Sequence, residues 1–489
     1  MSIANEIRRL GSQQQTRRVF LGRAASGIGG AALASLLSPG GLYAAAGKPD
    51  VKAGPKGVIH PLHYQQRVKR VIWLTMAGGP SHLELFDYKP KLAEMDGQPM
   101  PDSLTTGQQV AQLQGQKLVC FGPQTKFKRY GKCGAEMTEL FPGVGSVADE
   151  ICIIRSMFSE AINHDPAHTF MNTGTQLVGR PSMGSWATYG LGSEAENLPG
   201  FVVLVSIGVG RSPQPIAARQ WSAGFLPSRH QGVHLRGAGD PVLYLQNPAG
   251  VSREQQGDVI RAVNTLNAQH DAVVDDPEIS ARIAQYEMAY QMQMSVPALV
   301  DTSAEPESIR EMYGCTPGDG SFASNCLLAR RLAERGVRFI QLYHRDWDHH
   351  SQLREELPVK ARETDRACGA LIRDLKQRGL LDETLVVWAG EFGRTPMSQR
   401  DKGSPGRDHH NKGFTIWMAG GGVKRGFSYG ATDELGYHAA VNPVSVHDLH
   451  ATVLQQLGVD HARFSEKFQG LDWRLTGVEG ARVLKGILS

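Results

Sequence analysis

Short apolar runs alternate with amphipathic segments along most of the chain, and this pattern predicts an α/β protein. Six runs are continuously apolar and rich in β-branched or aromatic residues, as is typical of strands buried on both faces. They are residues 70–76, 150–157, 201–208, 337–343, 384–389 and 414–421. Helical spacing is found in residues 167–179, with Gly179 as the predicted end, in 252–295, from Phe322 to Ala333 with Gly336 as the stop, in 359–378 and in 445–457.

This alternation favours a largely parallel sheet covered by helices on both faces, which is a three-layer α/β/α sandwich. Polar clusters follow predicted strands in both halves of the chain, so we expect a single domain over residues 47–489. Surface insertions are predicted near residues 88–132, which are rich in Gly, Gln, Lys and Pro, and near residues 210–310.

Residues 1–46 differ in character from the rest of the chain. Arg17 and Arg18 precede a weakly apolar stretch, and a run of small residues ends at Ala46. The segment resembles a twin-arginine (Tat) export signal, which implies the Tat machinery as a partner and a periplasmic or extracellular location. The apolar stretch is too short and too glycine-rich for a transmembrane anchor, and we expect none in the mature chain.

Charge and cysteine content exclude some classes of function. The 489 residues carry a net charge of +4, and the excess lies within residues 1–46, which hold five Arg and one Glu. The remainder is balanced, so nucleic acid is not an expected partner. The six cysteines show no regular spacing and are expected to be mostly buried and free, with a Cys120–Cys133 bridge as the alternative.

Four polar clusters adjoin predicted strands. They contribute His164 and His168, Asp348 and His350, Glu391 and Arg394, and His409 and His410. Because the carboxyl ends of parallel strands share one edge of a sheet, these clusters are expected to converge. Imidazole and carboxylate together suit Zn, Mn or Fe, and the sequence therefore predicts a shared metal site.

Five motifs carry a resemblance to a known family. They are "AGGPSHLELFDYKP" (77–90), "WDHHSQ" (347–352), "EFGRTP" (391–396), "GRDHHNKGFTIWMAGGGVKRGFSYGATDELG" (406–436) and "VHDLHATVLQQLGVD" (446–460). The chain resembles the alkaline phosphatase/sulfatase superfamily, and more closely a group of Tat-exported bacterial proteins catalogued as a domain of unknown function. The resemblance implies an alkaline-phosphatase-like fold. It also implies metal-dependent hydrolysis of phosphate, sulfate or related esters of small molecules or polysaccharides.

The resemblance also implies roles for individual residues. Asp348 and His350 match one pair of metal ligands, Glu391 matches the next ligand position, and His409 or His410 matches a late histidine ligand. The expected cofactor is a divalent metal such as Zn, Mn or Ca. Arg394 either binds an anionic substrate or forms a salt bridge that holds its loop.

Two departures weaken the inference of sulfatase activity. Ala77-Gly78-Gly79 stands where relatives carry an Asp ligand at the end of the first strand, and the candidate substitutes nearby are Ser81, His82 and Asp87. The nucleophile position is taken by His164, which either attacks the substrate or binds metal, and His168 lies one helical turn later. Two hypotheses therefore remain, an atypical ester hydrolase and a non-catalytic exported binding protein that keeps the fold.

Overall fold

The strands form where the sequence is most continuously apolar. The computed structural model describes residues 57–108, 110–195, 197–206, 208, 214–237, 252–274, 292, 295–399 and 404–489, with side chains omitted at 253, 254 and 267–274. The signal residues Arg17, Arg18 and Ala46 lie outside the described residues, as does part of the predicted 210–310 insertion. The predicted domain limits therefore stay predictions.

A nine-stranded sheet forms the centre of the molecule. Its strands are β1 (Arg70–Met76), β4 (Ile151–Phe158), β5 (Phe201–Val205), β6 (Val233–Leu235), β7 (Phe339–His344), β8 (Thr384–Ala389), β11 (Phe414–Ala419), β12 (Phe427–Tyr429) and β15 (Val444–Ser445). The order across the sheet is β12-β4-β11-β8-β1-β7-β5-β6, and β15 pairs with β4. Only β11 runs against its neighbours, so the predicted largely parallel sheet is confirmed.

Smaller two-stranded ribbons complete the strand inventory of the described residues. They are β2 (Phe127–Tyr130) with β3 (Ala135–Thr138), β9 (Gly393–Arg394) with β10 (His409–His410), β13 (Ala431–Thr432) with β14 (Ala439–Val441), and β16 (Glu466–Phe468) with β17 (Leu471–Trp473). The β9–β10 ribbon matters for function because it pairs Arg394 with His409 at the carboxyl edge of the sheet.

Helices cover both faces of the sheet. The described α-helices are α1 (His82–Leu85), α2 (Pro90–Glu94), α3 (Asp102–Thr105), α4 (Pro142–Gly145), α5 (His164–Thr173), α6 (Met183–Leu191), α7 (Arg253–Val274), α8 (Glu307–Tyr313), α9 (Phe322–Glu334), α10 (Leu353–Gln377) and α11 (Val446–Gln456). None of them combines the length and the apolar character that crossing a bilayer requires.

The two faces of β1 show how the layers form. Successive side chains of a strand point to opposite faces, so Ile72 and Leu74 enter one core and Val71 and Trp73 enter the other. The first core is completed by helices α9 and α10, and the second by α5, α6 and α11. The three-layer α/β/α sandwich is therefore confirmed.

Two helix boundaries differ from the prediction. Helix α5 ends at Thr173, because Gly174 adopts the left-handed conformation (φ 71°) that stops a helix, and the predicted end at Gly179 is wrong. Helix α10 begins at Leu353 instead of 359 and includes Pro358, which lies near the helix start. The helix predicted over 445–457 is confirmed, and a capping box between Ser445 and Asp448 fixes its start.

All six cysteines lie in described residues and are free. Cys120 is buried and Cys133 is exposed, so the alternative of a Cys120–Cys133 bridge is wrong.

Candidate metal centre

Five chain segments meet at the carboxyl edge of the central sheet. The turn after β1 brings Gly78, the loop after β7 brings Asp348 and His350, and the end of β8 leads to Glu391. Helix α5 begins at His164, and the β9–β10 ribbon supplies His409. Among the described residues, two groups of possible metal ligands result: His164, Asp348, His350 and His409, and His164, His168 and Glu391.

Asp348 is the centre of the first group. Its Oδ2 lies 3.1 Å from His164 Nε2, and its Oδ1 lies 3.0 Å from His350 Nε2 and 3.3 Å from His409 Nε2. The His350 and His409 Nε2 atoms are themselves only 2.9 Å apart. One carboxylate and three imidazole nitrogens therefore converge on a single point.

The opposite nitrogen of each imidazole faces an oxygen. Nδ1 of His409 faces the Ile162 carbonyl at 3.0 Å, Nδ1 of His350 faces Gln399 Oε1, and Nδ1 of His164 faces Glu391 Oε1 at 2.6 Å. Such oxygens only accept hydrogen bonds, so each Nδ1 donates its hydrogen outward. Each neutral imidazole then presents an unprotonated Nε2 lone pair toward the centre, which is the arrangement of a metal ligand.

The spacing of these atoms tests whether a metal fits. Ligands about 2.0–2.2 Å from a first-row metal lie about 2.8–3.6 Å from one another in octahedral or tetrahedral geometry. The contacts around Asp348, from 2.9 to 3.3 Å, agree with this spacing. Facing acceptor lone pairs at 2.9 Å repel each other unless a cation or proton lies between them, so the residues present fit a divalent metal.

Glu391 lies at the centre of the second group and is fully buried. It accepts a hydrogen bond from His164 Nδ1 at 2.6 Å, and its two oxygens accept from the Gly78 backbone N–H at 3.0 and 3.2 Å. His168 Nε2 lies 3.4 Å from Glu391 Oε1, and His168 is also completely buried. His168 therefore cannot reach a substrate without movement of the surrounding core.

The side chain of Arg394 makes its hydrogen bonds within the protein. The buried guanidinium donates to the carbonyls of Gly78, Gly79 and Arg407 and to Asp348 Oδ1. These contacts agree with the hypothesis that Arg394 holds its loop, and they leave little capacity to bind an anionic substrate. Arg394 fixes the orientation of Asp348 instead.

His82 and His410, two of the predicted ligands, are not brought together with the others. His410 follows His409 in the extended strand β10, so its side chain points to the opposite face, where Nε2 donates to the Tyr437 carbonyl. His82 Nε2 donates to the Gly436 carbonyl at 3.0 Å. Neither belongs to the two ligand groups found among the described residues, and of the His409/His410 pair the structure selects His409.

Burial disfavours ionisation of the two carboxylates at this site, but nearby positive groups and hydrogen bonds outweigh the effect of burial. Burial raises the cost of ionising Asp348, yet Arg394 and the neighbouring imidazoles hold the pKa of Asp348 well below its usual range. Burial acts in the same direction on Glu391, and His168 and His164 nevertheless lower its pKa to about 2. Both carboxylates are thus ionised at neutral pH.

The pKa values of His164 and His409 shift in opposite directions. Burial disfavours protonation of His164, but its bonds to Asp348 and Glu391 raise its pKa to about 9. Burial lowers the pKa of His409 to about 4 despite its contact with Asp348. His164 is therefore the imidazole most strongly held by carboxylates on both of its nitrogens.

Several supporting residues were missed by the sequence analysis. The Gly78 N–H, the Ile162 carbonyl and Gln399 each orient a member of the site. Backbone groups carry no side-chain signal, and a lone Gln in a loop has no distinguishing pattern. Glu84 was also missed, although it forms a completely buried ion pair with Arg407 that anchors the loop before His409.

Comparisons with known structures return neighbours at low similarity. The chain is similar to a protein in the alkaline phosphatase superfamily from Vibrio parahaemolyticus, with 11% identity, a TM-score of 0.36, and coverage of 88% of this chain and 72% of the other. It is similar to the lipoteichoic acid synthase LtaP from Listeria monocytogenes, with 11% identity, a TM-score of 0.34, and coverage of 88% and 79%. It is also similar to the phosphonate monoester hydrolase SpPMH from Silicibacter pomeroyi, with 12% identity, a TM-score of 0.33, and coverage of 87% and 76%.

At these identities and TM-scores the neighbours assign no activity to the chain. No curated protein matches it. A family model does match, over residues 68–488, and this range includes every residue of both ligand groups. The chain therefore belongs to the family described as "Protein of unknown function (DUF1501)".

Proposed function

We propose that this protein is an exported, metal-dependent hydrolase of phosphate, sulfate or related esters. The observation that carries the proposal is the group formed by Asp348 with His164, His350 and His409. Three outward-donating imidazoles and one ionised carboxylate form a donor set for Zn or Mn. Ca is the least suited of the expected metals, because it prefers oxygen ligands.

A divalent metal at this position would polarise an ester oxygen and activate water at neutral pH. The protein's own residues prepare the site for that chemistry. Asp348 and His350 sit in a loop at the carboxyl edge of the sheet, where open α/β folds place their substrates. Their side chains retain 13% and 24% exposure, so the centre is reachable from solvent. Arg394 holds Asp348 in place from the buried side.

His164 is better placed as a ligand than as a nucleophile. Its Nδ1 is bonded to Glu391 and its Nε2 faces Asp348, so neither nitrogen is directed at open solvent. This arrangement favours the metal-binding role over attack on the substrate. In the proposed reaction, water would serve as the nucleophile in place of a side chain.

A second candidate is a non-catalytic exported binding protein with a metal in the same place. The observation that favours it is that His164 stands at the expected nucleophile position with its two ring nitrogens facing Asp348 and Glu391. Both candidates predict metal binding, and only the first predicts hydrolysis.

The test is elemental analysis of the exported protein, with p-nitrophenyl phosphate and p-nitrophenyl sulfate as probe substrates. Asp348→Asn and His350→Gln should each lose metal and all hydrolysis, because each removes a ligand. Asp348→Asn also removes the ion pair with buried Arg394 and so affects folding. His350→Gln removes a ligand without breaking that ion pair, which separates loss of a ligand from misfolding. His410→Gln is the matched control and should keep both metal and activity.

The outcomes separate the candidates. Metal retained at wild-type level in folded Asp348→Asn and His350→Gln would contradict the proposed site. Metal bound at this site without turnover of any ester in a broad panel would favour the binding protein.

A further inference from the structure

We propose that Glu391 does not bind the metal but positions His164 through a hydrogen bond, so that the group His164, His168 and Glu391 is not a second metal site. The inference rests on the metal centre proposed above. It departs from the expectation, drawn from the sequence, that Glu391 is itself a ligand. Its first support is a difference in spacing between the two groups.

Two neighbouring ligands of one metal lie about 2.8–3.6 Å apart when each metal–ligand distance is about 2.0–2.2 Å. The atoms around Asp348 keep this spacing. His164 Nδ1 and Glu391 Oε1 are only 2.6 Å apart, which is too close for two ligands of one metal and indicates a short hydrogen bond to a carboxylate. An ion between them would have to break that bond and push the two atoms apart.

The carboxylate of Glu391 is also satisfied without an ion. Both of its oxygens accept from the Gly78 N–H, Oε1 accepts from His164 as well, and His168 lies 3.4 Å away. An unpaired buried carboxylate is costly, so this set of partners accounts for its burial. The turn after β1, where relatives are expected to carry an Asp ligand, instead contributes a backbone donor to Glu391.

The consequence for the metal centre is orientation. A hydrogen bond from Nδ1 to a carboxylate fixes the tautomer of an imidazole and makes Nε2 a more basic ligand. His164 Nε2 is directed at the Asp348 centre, 3.1 Å from Oδ2. Glu391 is therefore a positioning residue that acts on the metal through His164. His168 packs beside it without direct contact to the metal centre.

The experiment is a titration of metal-stripped mature protein with Zn²⁺ in competition with a chromophoric chelator, followed by elemental analysis. The wild type should bind one equivalent. Glu391→Gln should still bind one equivalent, with an affinity lower by about 10–100-fold, which is the usual effect of losing such a support. Glu391→Asp, which keeps the charge but shortens the reach, should weaken binding similarly and serves if the Gln variant does not fold. His168→Gln should bind one equivalent with near wild-type affinity.

A spectroscopic measurement adds a readout that general loosening of the fold would not reproduce. With Co²⁺ in place of Zn²⁺, the visible bands of Glu391→Gln should keep the positions seen in the wild type, because the ligand set is unchanged. The bands of His350→Gln should shift or vanish.

Two results would overturn the inference while leaving the metal site in place. One is two equivalents in the wild type that fall to one in Glu391→Gln, which would make Glu391 a ligand. The other is unchanged affinity in folded Glu391→Gln, which would leave it with no positioning role. Failure of the wild type to bind any metal would overturn the proposed function, and this inference with it.

Discussion

At the scale of single residues, Gly78 has a structural role at the site that a residue without a side chain does not suggest. Gly78 lies at φ 120°, a conformation open almost only to glycine. A Cβ at this position would lie 2.6 Å from the Asp348 backbone nitrogen and 2.7 Å from that of Trp347. The same glycine donates its N–H to Glu391. The turn after β1 thus brings the loop of the metal centre and the supporting carboxylate into contact through one glycine.

We expect Gly78→Ala to destabilise the fold and to weaken metal binding together. Backbone strain contributes about 1–3 kcal/mol, and the backbone clash adds to it, because no flexible side chain can move away. Gly97→Ala is the matched control. Gly97 also has a positive φ of 77°, but its Cβ would meet nothing within 4 Å. It should cost about 1–2 kcal/mol and leave metal binding unchanged.

Urea denaturation and Zn²⁺ titration of both variants check this prediction. Equal losses of stability in the two variants, with metal affinity intact in both, would show that the close approach at Gly78 has no consequence for the centre.

Helices α5 and α11 are joined by a buried histidine. His450 of α11 donates from Nε2 to the Met171 carbonyl of α5 at 2.8 Å, and its Nδ1 has no hydrogen-bond partner among the described residues. Burial lowers the pKa of His450 to about 3. Because α5 begins at His164, this contact supports the helix that carries a proposed ligand.

The shift at His450 predicts a loss of stability in acid. Above about pH 6.5, His450 is neutral in both the folded and the unfolded protein. Below that pH the unfolded chain binds a proton at His450, whereas the folded protein binds it only near pH 3. Stability should therefore fall as pH drops from about 6.5 toward 3, by up to about 1.4 kcal/mol per pH unit for one histidine. His450→Gln, which keeps a donor for the Met171 carbonyl, should lower this slope by about one proton.

Denaturant unfolding of metal-free protein between pH 7 and pH 5 measures the slope. Buried His410 and partly buried His230 have pKa values lowered to about 3 as well, so part of the slope remains in the variant. An unchanged slope in His450→Gln would mean that the histidine is protonated equally in both states.

At the scale of the whole molecule, the site lies at one edge of the central sheet. Five strands, β6, β5, β7, β1 and β8, run parallel, so their carboxyl ends share that edge. Ligands separated by more than 200 residues meet there without any local relation in sequence. We propose that this assembly forms before export, because Tat passengers cross the membrane folded and a metal centre of this kind requires the folded chain.

Replacing Arg17 and Arg18 by Lys together should therefore trap a folded precursor in the cytoplasm. The matched control is Arg8→Lys with Arg9→Lys, a second arginine pair that no apolar stretch directly follows. Cell fractionation with an antibody to the mature protein measures the outcome. Continued processing at the normal level in the Arg17/Arg18 variant would argue against Tat export.

The sequence determined the architecture almost by itself. Continuous apolar runs predicted all six long strands of the sheet, with β1 and β8 correct at both ends, since a strand buried on both faces excludes polar residues throughout. Clusters after the strands identified Asp348, His350 and His164 as neighbours, because parallel strands end at a common edge. The supporting groups of the site, such as the Gly78 N–H and the Ile162 carbonyl, have no comparable signal in the sequence.

Only the tertiary structure decided how each side chain is used. It selected His409 over His410 because the phase of a two-residue strand is set by its pairing with Arg394, and sequence does not reveal that phase. In the folded chain, Arg394 contacts the Gly78 carbonyl, and Glu391 contacts Gly78 and His164. These contacts join residues up to 316 positions apart, so the local sequence does not predict them. Local sequence dictates strands and helices, whereas the direction of a loop side chain depends on partners that only the folded chain brings together.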